Sequence, residues 1–185
     1  IDLITNEDEI TKTRLVDIKT NQMLLRVDED DSCKRIKNDV ITKLGDYDAI
    51  IISDYNKGFL TESTIKFLVD RYPLSFIDSK KLFNDWINDA TFLKINEVEF
   101  NRNKKNLKKY KGNLIVTLGE RGVKHDGIIF SPNQVVDALD LSGAGDTFLA
   151  GLVTSYIDDL DTIKAILFAQ ECAGKAIIKK GVTVI

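Results

Sequence analysis

Between residues 49 and 117, short apolar runs alternate with longer segments that have a single apolar face. The clearest run is Ala49-Ile50-Ile51-Ile52-Ser53, a mostly β-branched stretch that leads into a polar loop, the pattern of a fully buried parallel strand. A helix is predicted from Thr61 to Arg71, and further strands are predicted at residues 74–77, 92–95 and 113–117. This alternation predicts an α/β fold of three layers, in which helices cover both faces of a mostly parallel sheet.

The residues before this pattern predict two smaller elements. Thr11 to Asp17 and Gln22 to Val27 alternate partly between apolar and polar residues around a short polar link, which predicts an antiparallel hairpin. From Ser32 to Leu44 the apolar residues fall on one helical face. We therefore expect an amphipathic helix there, with Ser32 as its N-cap.

After residue 117, the sequence predicts a second hairpin and two long helices. Asp126-Gly127 suits the positive-φ positions of a type I′ turn, so Val123–His125 should pair with Ile128–Phe130. His125, the sole histidine, is expected to be an exposed hairpin residue. The remaining elements are predicted as a strand around Val135 to Leu139, a helix from Gly143 to Tyr156 and a helix from Thr162 to Lys179.

The composition is that of one ordinary globular domain spanning residues 1–185. The chain is 43% apolar and 30% charged, and its net charge of -3 includes no basic or acidic half, which argues against a nucleic-acid or membrane partner. Cys33 and Cys172 are isolated, so neither a disulfide framework nor a zinc site is predicted. Because the sequence has no signal-peptide pattern and no apolar run near the ~20 residues of a membrane span, a cytoplasmic location is expected.

The segment Leu141-Ser142-Gly143-Ala144-Gly145-Asp146 joins a predicted strand to a predicted helix. Its glycines let the backbone approach a ligand closely, and the first free amides of the helix form a site that attracts phosphate. A carboxylate beside such a site is suited to accept the proton of a hydroxyl that attacks a phosphoryl group. The alternative is that Asp146 only caps the helix, which is common for Asp in a first turn.

Asp140 to Phe148 closely resembles the C-terminal signature of the ribokinase-like (PfkB) sugar kinases, Asp-x-Thr/Ser-Gly-Ala-Gly-Asp. The resemblance implies a ribokinase-like sandwich, ATP and Mg²⁺ as cofactors, and Asp146 as the catalytic base. It implies an anion hole formed by the amides of Gly143, Ala144 and Gly145. It also implies that Asp140 lies at a site for a monovalent cation such as K⁺.

Two further segments resemble nucleotide-binding motifs of the same family. Asn96-Glu97-Val98-Glu99 resembles Asn-x-x-Glu, which implies that Asn96 and Glu99 organise Mg²⁺, water and the ATP phosphates, with Glu99 acting on the metal indirectly. The alternative is an exposed helix start with Asn96 as N-cap. Val116 to Gly122 resembles the loop that contacts the nucleotide, which implies contacts by Thr117, Gly119 and Gly122; its alternative is an ordinary tight turn.

Phe168 to Gly181 resembles the helix and loop that line the adenine pocket of these kinases. The resemblance implies a nucleotide contact by Ala173. In this segment Gln170 replaces the usual Asn, and Glu171 and Cys172 replace two usual Ala residues.

The sugar is indicated by Thr11–Val16, Asn21–Asp28 and Ser53–Gly58, which resemble the kinase module of ADP-heptose biosynthesis. That module phosphorylates D-glycero-β-D-manno-heptose 7-phosphate at C1, so the resemblance implies a sugar-phosphate substrate contacted by Lys57 and Asp54. Lys57 is almost as readily explained as a solvated loop lysine, and Lys80 could meet a phosphate or face solvent. Another PfkB-type sugar kinase is the alternative.

The family's N-terminal portion, with a Gly-Gly-rich sugar-binding segment, has no counterpart here, and the chain begins at Ile1 rather than at Met. We therefore expect a C-terminal fragment of a larger, homodimeric kinase, which binds ATP but phosphorylates sugar poorly. A single histidine excludes an adenylyltransferase module with a His-x-Gly-His motif. A non-catalytic nucleotide-binding or assembly module is the alternative from a different functional class.

Overall fold

The computed structural model describes residues 1–20, 22–29, 31–133, 136, 138–179 and 181. Two strands, β1 (Thr11–Val16) and β2 (Met23–Glu29), form a separate antiparallel hairpin, as predicted. Over the described residues the main sheet has six strands in chain order. Its parallel strands are β3 (Ile50–Asp54), β4 (Ser75–Ser79), β5 (Phe92–Asn96) and β6 (Asn113–Thr117). Its antiparallel strands are β7 (Val123–His125) and β8 (Ile128–Phe130).

In the described ranges, five α-helices accompany these strands. They are α1 (Asn38–Thr42), α2 (Glu62–Arg71), α3 (Glu97–Asn103), α4 (Ala144–Asp159) and α5 (Thr162–Ile177). Short 3-10 helices lie at Asp85–Ile87, Asn106–Lys109 and Gly119–Arg121. The predictions for α2, α4 and α5 are confirmed to within a few residues. Within the described ranges, every helix is too short or too polar to span a bilayer.

Alternate residues of the central strands enter two cores, one on each face of the sheet. Along β4, Phe76 belongs to the core formed with α4 and α5, and Ile77 belongs to the core that contains α2. Phe76 stacks on Phe92 with 4.6 Å between ring centroids, and both rings contact Tyr156 of α4. The predicted three-layer arrangement is confirmed, and it fixes α4 relative to the strands.

Strand β3 is less buried than its composition predicts. Ile51 is 49% exposed, whereas Ile52 lies in the core. In the described part of the chain β3 pairs only with β4, so it is an edge strand, and α4 and α5 pack on the central strands instead. The prediction of a fully buried strand was wrong, because a β-branched run indicates a strand and does not show whether both faces are covered.

The predicted helix from Ser32 to Leu44 is reduced to the five residues of α1, with Lys37 rather than Ser32 at its N-cap. The preceding backbone is used differently. The Cys33 amide donates to the Lys57 carbonyl at 2.7 Å, and the Ile36 amide donates to the Phe59 carbonyl at 3.0 Å. Hydrogen bonds to a distant loop therefore replace the first helical turns, and an amphipathic pattern does not reveal such partners.

The turn between β7 and β8 is confirmed, since Asp126 and Gly127 have φ angles of 48° and 80°. The expected exposure of His125 was wrong. His125 is 5% exposed, and its Nδ1 lies 3.1 Å from the Leu114 carbonyl oxygen. The predicted strand around Val135 to Leu139 falls partly on Val135 and Asp137, which lie outside the described residues.

Gly151 and Gly174 form a matched pair for testing how closely α4 packs on α5. A Cβ atom at Gly151 would lie 3.1 Å from the Ala169 Cα and 3.2 Å from the Cys172 Sγ, whereas one at Gly174 would have nothing within 4 Å. Gly151→Val should lower the free energy of unfolding by about 1–3 kcal/mol through overpacking. Gly174→Ala should raise it by about 0.5–1 kcal/mol, because glycine is unfavourable inside a helix. Urea denaturation measures both changes, and equal midpoints for the two variants would contradict this packing.

Candidate active site

The carboxyl ends of β3 to β6 lie along one edge of the sheet, the edge at which open α/β sheets bind ligands. The strand register places Asp54 beside Ser79, and Asn96 beside Thr117. The first turn of α4 reaches the same edge, since Asp146 contacts Tyr55, the residue that follows β3. Motifs that are far apart in the sequence therefore meet here.

The Gly-Ala-Gly-Asp turn begins α4. Gly143 has a φ of 79°, a left-handed conformation that favours glycine. The Ala144 amide donates to the Leu141 carbonyl at 3.3 Å, so the turn itself uses this predicted anion-hole donor. The amides of Gly145 and Asp146 lie in the first helical turn, where no acceptor exists within the helix. Together with the positive end of a 16-residue helix, they form the part of the site that attracts anions.

The Asp146 carboxylate binds a hydroxyl group of the protein. The Tyr55 hydroxyl donates to Asp146 Oδ1 at 2.9 Å and to Oδ2 at 2.7 Å. Burial and this carboxylate raise the pKa of the Tyr55 phenol well above its ordinary value, so the phenol remains a donor at neutral pH. In the sequence, Tyr55 was interpreted only as part of a loop, and its contact with Asp146 was not predicted. The one feature that pointed to a functional role was the position of Tyr55 directly after a strand.

A buried lysine lies against the same turn. Lys94 of β5 is 3% exposed, and its Nζ is 2.5 Å from Asp78 Oδ2 on β4. A Cβ atom at Gly145 would come within 2.9 Å of this Nζ, so the ammonium lies next to the free amides of α4. Sequence reasoning missed both Lys94 and Asp78 as site residues, because a charged residue in an apolar strand does not reveal its partner.

Lys80 connects two carboxylates at the strand ends. Its Nζ is 3.0 Å from Asp78 Oδ1 and 2.8 Å from Glu99 Oε1, and it lies 5.9 Å from the centroid of the Tyr55 ring. Burial alone would lower the pKa of Lys80, but the two carboxylates raise it above its ordinary value. Lys80 is therefore a charged, half-buried group between the Tyr55–Asp146 contact and Glu99, rather than a solvated lysine.

Asn96 and Glu99 form a capping box at the start of α3. Asn96 Oδ1 accepts the Glu99 amide, and Glu99 Oε2 accepts the Asn96 amide, each at 2.9 Å. Asn96 is thus the N-cap, as the alternative held, but the expected exposure of this helix start was wrong, because Glu99 is 6% exposed. The metal role of Glu99 stays a prediction. Its other carboxylate oxygen, Oε1, takes no part in the capping box and lies 2.8 Å from Lys80 Nζ.

The Asp54 carboxylate is buried and is used within the protein. Oδ2 accepts the Ser79 hydroxyl at 2.7 Å and lies 3.4 Å from Lys81 Nζ, and Oδ1 accepts the Asn56 amide at 3.0 Å. These contacts favour a supporting role in the turn after β3. A direct sugar contact by Asp54 stays a prediction.

Lys57 lies in the same loop, and its ammonium pairs with the Asp31 carboxylate. Its carbonyl accepts the Cys33 amide, which ties the loop to the segment before α1. A sugar phosphate that bound Lys57 would have to compete with Asp31, and this substrate role stays a prediction.

The loop after β6 is a tight turn, as the alternative interpretation held. Gly119 and Gly122 have φ angles of 64° and 92°, and a Cβ atom at Gly122 would clash with the Phe130 carbonyl. The Gln170 Nε2 donates to that carbonyl at 2.9 Å, so α5 is tied to the end of β8 beside this loop. Thr117 donates to the Ile95 carbonyl at 3.4 Å and stands at the strand end. Nucleotide contacts by the loop stay predictions.

An open cleft of about 290 Å³ lies between α5 and the loop after β8. Its lining includes Pro132, Asn133, Gln170 and Gly174. Ala173 packs, partly buried, against the core shared by α4 and α5 rather than lining the cleft. Binding of adenine in this cleft stays a prediction.

Asp140 holds the loop that leads into the Gly-Ala-Gly-Asp turn. Its Oδ1 accepts the Ser142 amide at 2.8 Å, and its Oδ2 accepts the Gly181 amide at 3.1 Å. The Ser142 hydrogen bonds in particular lower the pKa of Asp140. A role for Asp140 at a monovalent-cation site stays a prediction.

The donor set fits Mg²⁺ only in part. Among the residues that the structure describes, no group of three His, Cys, Asp or Glu side chains could hold a metal ion. Mg²⁺ is commonly bound through one or two carboxylates together with substrate phosphates. Glu99 and Asp146 therefore fit a metal that ATP brings with it, and they do not form a metal site by themselves.

Curated relatives match most of this chain. It is 28% identical over 188 residues to the bifunctional protein HldE of Campylobacter jejuni (strain NCTC 11168), which covers 87% of this chain and 41% of the relative. The bifunctional protein HldE of a Nitratiruptor species is 29% identical over 202 residues, or 95% of this chain and 43% of the relative. The chain thus spans about two fifths of the length of these relatives.

The fold is also similar to those of solved kinases. Ribokinase from Thermotoga maritima has a TM-score of 0.73 at 18% identity, over 94% of this chain and 64% of that chain. Phosphofructokinase-2 from Escherichia coli has a TM-score of 0.71 at 12% identity, over 90% of this chain and 64% of that chain. The family described as pfkB family carbohydrate kinase matches residues 60–184. Since this match covers more than half of the chain and includes the Gly-Ala-Gly-Asp turn, the chain belongs to the pfkB family of carbohydrate kinases.

Proposed function

We propose that this chain carries the catalytic base and the nucleotide site of a kinase that transfers the γ-phosphoryl group of ATP to a sugar-phosphate hydroxyl. One observation carries the proposal. Asp146 lies beside the amide-bearing end of α4 and Lys94, and it binds the Tyr55 hydroxyl at 2.7 Å, in a place that the acceptor hydroxyl of a substrate could take. A general base, a hydroxyl and an anion-attracting site are the three parts that phosphoryl transfer requires.

In the proposed reaction, Asp146 accepts the proton of the sugar hydroxyl while the hydroxyl oxygen bonds to the γ-phosphorus. The bond from that phosphorus to the ADP oxygen breaks at the same time. The amides of Gly145 and Asp146 and the Lys94 ammonium stabilise the charge on the phosphoryl oxygens. These donors contribute to catalysis because the protein fixes their positions before ATP binds.

ATP would lie across three parts of the site. The adenine would enter the cleft beside Gln170 and Gly174, and the Thr117, Gly119 and Gly122 loop would contact the nucleotide. Mg²⁺, when bound, neutralises phosphate charge and orients the phosphates. Glu99 would act on the metal through water, since its Oε1 already pairs with Lys80 at 2.8 Å.

The substrate that we propose is D-glycero-β-D-manno-heptose 7-phosphate, phosphorylated at C1 in ADP-heptose and lipopolysaccharide core synthesis. Sequence similarity to bifunctional HldE proteins supports it. Lys57, beside the edge of the sheet, would meet the 7-phosphate. The alternative is another PfkB-type sugar kinase, and a panel of sugars and sugar phosphates with ATP separates the two.

For the complete protein we propose a homodimer. The β1–β2 hairpin supports this, because apolar side chains on it are exposed that a partner could cover: Leu15, Val16, Met23, Leu24, Leu25 and Val27. The proposed function also includes a K⁺ ion bound at Asp140.

The alternative to a kinase is a non-catalytic nucleotide-binding module. It would be supported by calorimetric ATP binding without turnover in the complete protein.

Asp146→Asn tests the base. The variant should bind ATP with the affinity of the wild type and lose about 10²- to 10⁴-fold in turnover, because the proton acceptor is removed while the backbone donors remain. Asp159→Asn, at the opposite end of α4, is the matched control and should keep full turnover. Steady-state kinetics with calorimetry checks both variants, and a turnover retained in Asp146→Asn would remove Asp146 as the base.

Glu99→Gln tests the metal role separately from the helix cap. Gln can still form a capping box, so the fold should be preserved. The loss of negative charge should raise the Mg²⁺ concentration needed for half-maximal activity roughly tenfold, the scale of outer-shell substitutions at metal sites. Glu97→Gln, at a half-exposed position in the same turn whose carboxylate pairs with Arg121, should leave the Mg²⁺ dependence unchanged. Identical Mg²⁺ titrations for Glu99→Gln and the wild type would limit Glu99 to its structural role.

A further inference from the structure

Tyr55 combines an exposed ring with a fixed backbone. The residue is 47% exposed. On one side, Asp54 is held by Ser79 and Lys81. On the other side, Asn56 has a φ of 57°, and its side chain accepts Lys81 Nζ at 2.8 Å. The turn therefore fixes the origin of the Tyr55 side chain, while its own torsions allow the ring to move between rotamers.

The hydroxyl of this ring lies where an acceptor hydroxyl is needed. A general base must be within roughly 2.6–3.2 Å of the oxygen whose proton it takes. The Tyr55 oxygen is 2.9 Å and 2.7 Å from the two oxygens of Asp146. A water molecule that attacked the γ-phosphorus would need the same place and the same base. While the Tyr55 hydroxyl is there, it occupies the position from which such a water molecule would reach Asp146.

We propose that Tyr55 occupies Asp146 while no sugar is bound, and that it thereby suppresses the hydrolysis of ATP by water. In that hydrolysis the water oxygen bonds to the γ-phosphorus, the bond from this phosphorus to the ADP oxygen breaks, and the water proton goes to Asp146. A sugar displaces the phenol because it makes further contacts in the site, which a single water molecule does not. Tyr55 is in this sense a specificity residue that favours sugar over water. The inference rests on the proposed function.

Tyr55→Phe tests the inference in the complete natural protein that carries this chain, with ATP and Mg²⁺. Without sugar, the release of inorganic phosphate should rise about tenfold, because Asp146 loses a charge-assisted hydrogen bond that blocks it. With sugar, KM for the sugar should fall by up to the same factor, since no hydroxyl has to be displaced. Combining Tyr55→Phe with Asp146→Asn should abolish the extra phosphate release.

Tyr47→Phe is the matched control. It removes the same kind of contact, a tyrosine hydroxyl on the Asp2 carboxylate, at a place where Tyr47 packs beside Tyr72. It should leave phosphate release and KM unchanged. Unchanged phosphate release in Tyr55→Phe would overturn the inference. So would a loss of sugar phosphorylation without any gain in hydrolysis, which is the result expected if Tyr55 only holds Asp146 in place.

An ultraviolet titration reads the contact without catalysis. The phenolate absorbance of Tyr55 is obtained by subtracting the absorbance of the protein that carries Tyr55→Phe from that of the same protein with Tyr55 intact. It should appear at lower pH in Asp146→Asn than in the wild type, because burial and the Asp146 carboxylate both raise the pKa of Tyr55 and this variant removes the contribution of the carboxylate. No difference would overturn the contact. If phosphate release rises in Tyr55→Phe and depends on Asp146 but no sugar is phosphorylated, the suppression of hydrolysis by Tyr55 stands, whereas the proposed function and the preference for sugar over water fail.

Discussion

The buried carboxylate of Asp78 is the interaction on which the active-site edge depends. Its Oδ2 lies 2.5 Å from Nζ of Lys94 on β5, and its Oδ1 lies 3.0 Å from Nζ of Lys80, the residue that follows β4. Buried ion pairs add little net stability, because the cost of desolvation offsets the attraction, but removing one partner leaves an uncompensated charge. The role of Asp78 is therefore to keep two positive charges at fixed positions, one against Gly145 and one beside Glu99.

The ion pairs at this edge of the sheet determine the net charge that an incoming ligand encounters. Lys94 and Lys80 are balanced formally by Asp78 and Glu99, and Asp146 adds a negative charge at the positive end of α4. Under the proposed function, a triphosphate would be attracted by the amides and by the two ammonium groups, but these groups would not neutralise its charge. A divalent cation that arrives with the nucleotide would supply the missing charge, which agrees with the absence, among the described residues, of a cluster of three His, Cys, Asp or Glu side chains that could hold a metal ion.

Periodicity and motif order were enough to predict the layered fold and the Gly-Ala-Gly-Asp turn, because both depend on neighbours in the sequence. The failures have a different cause. The helix at Ser32 was lost to hydrogen bonds from a distant loop, and Ile51 is exposed because of where β3 lies in the sheet. Lys94 and Tyr55 were missed for the same reason, since their importance lies in partners on other strands and on α4. Pairing across strands cannot be read from one residue's own surroundings in the sequence.

The Asn96–Glu99 pair shows why the structural and functional interpretations of a motif need not compete. One oxygen of Glu99 completes the capping box, so the carboxylate cannot rotate freely, and the other oxygen is thereby directed to Lys80. Asp54 acts similarly, because its buried contacts fix the turn from which Tyr55 extends. Groups that must act without reorganising have to be held by contacts of their own. In this chain the helix cap and the buried aspartate provide that support, so the local structure is a condition for the chemistry of the site.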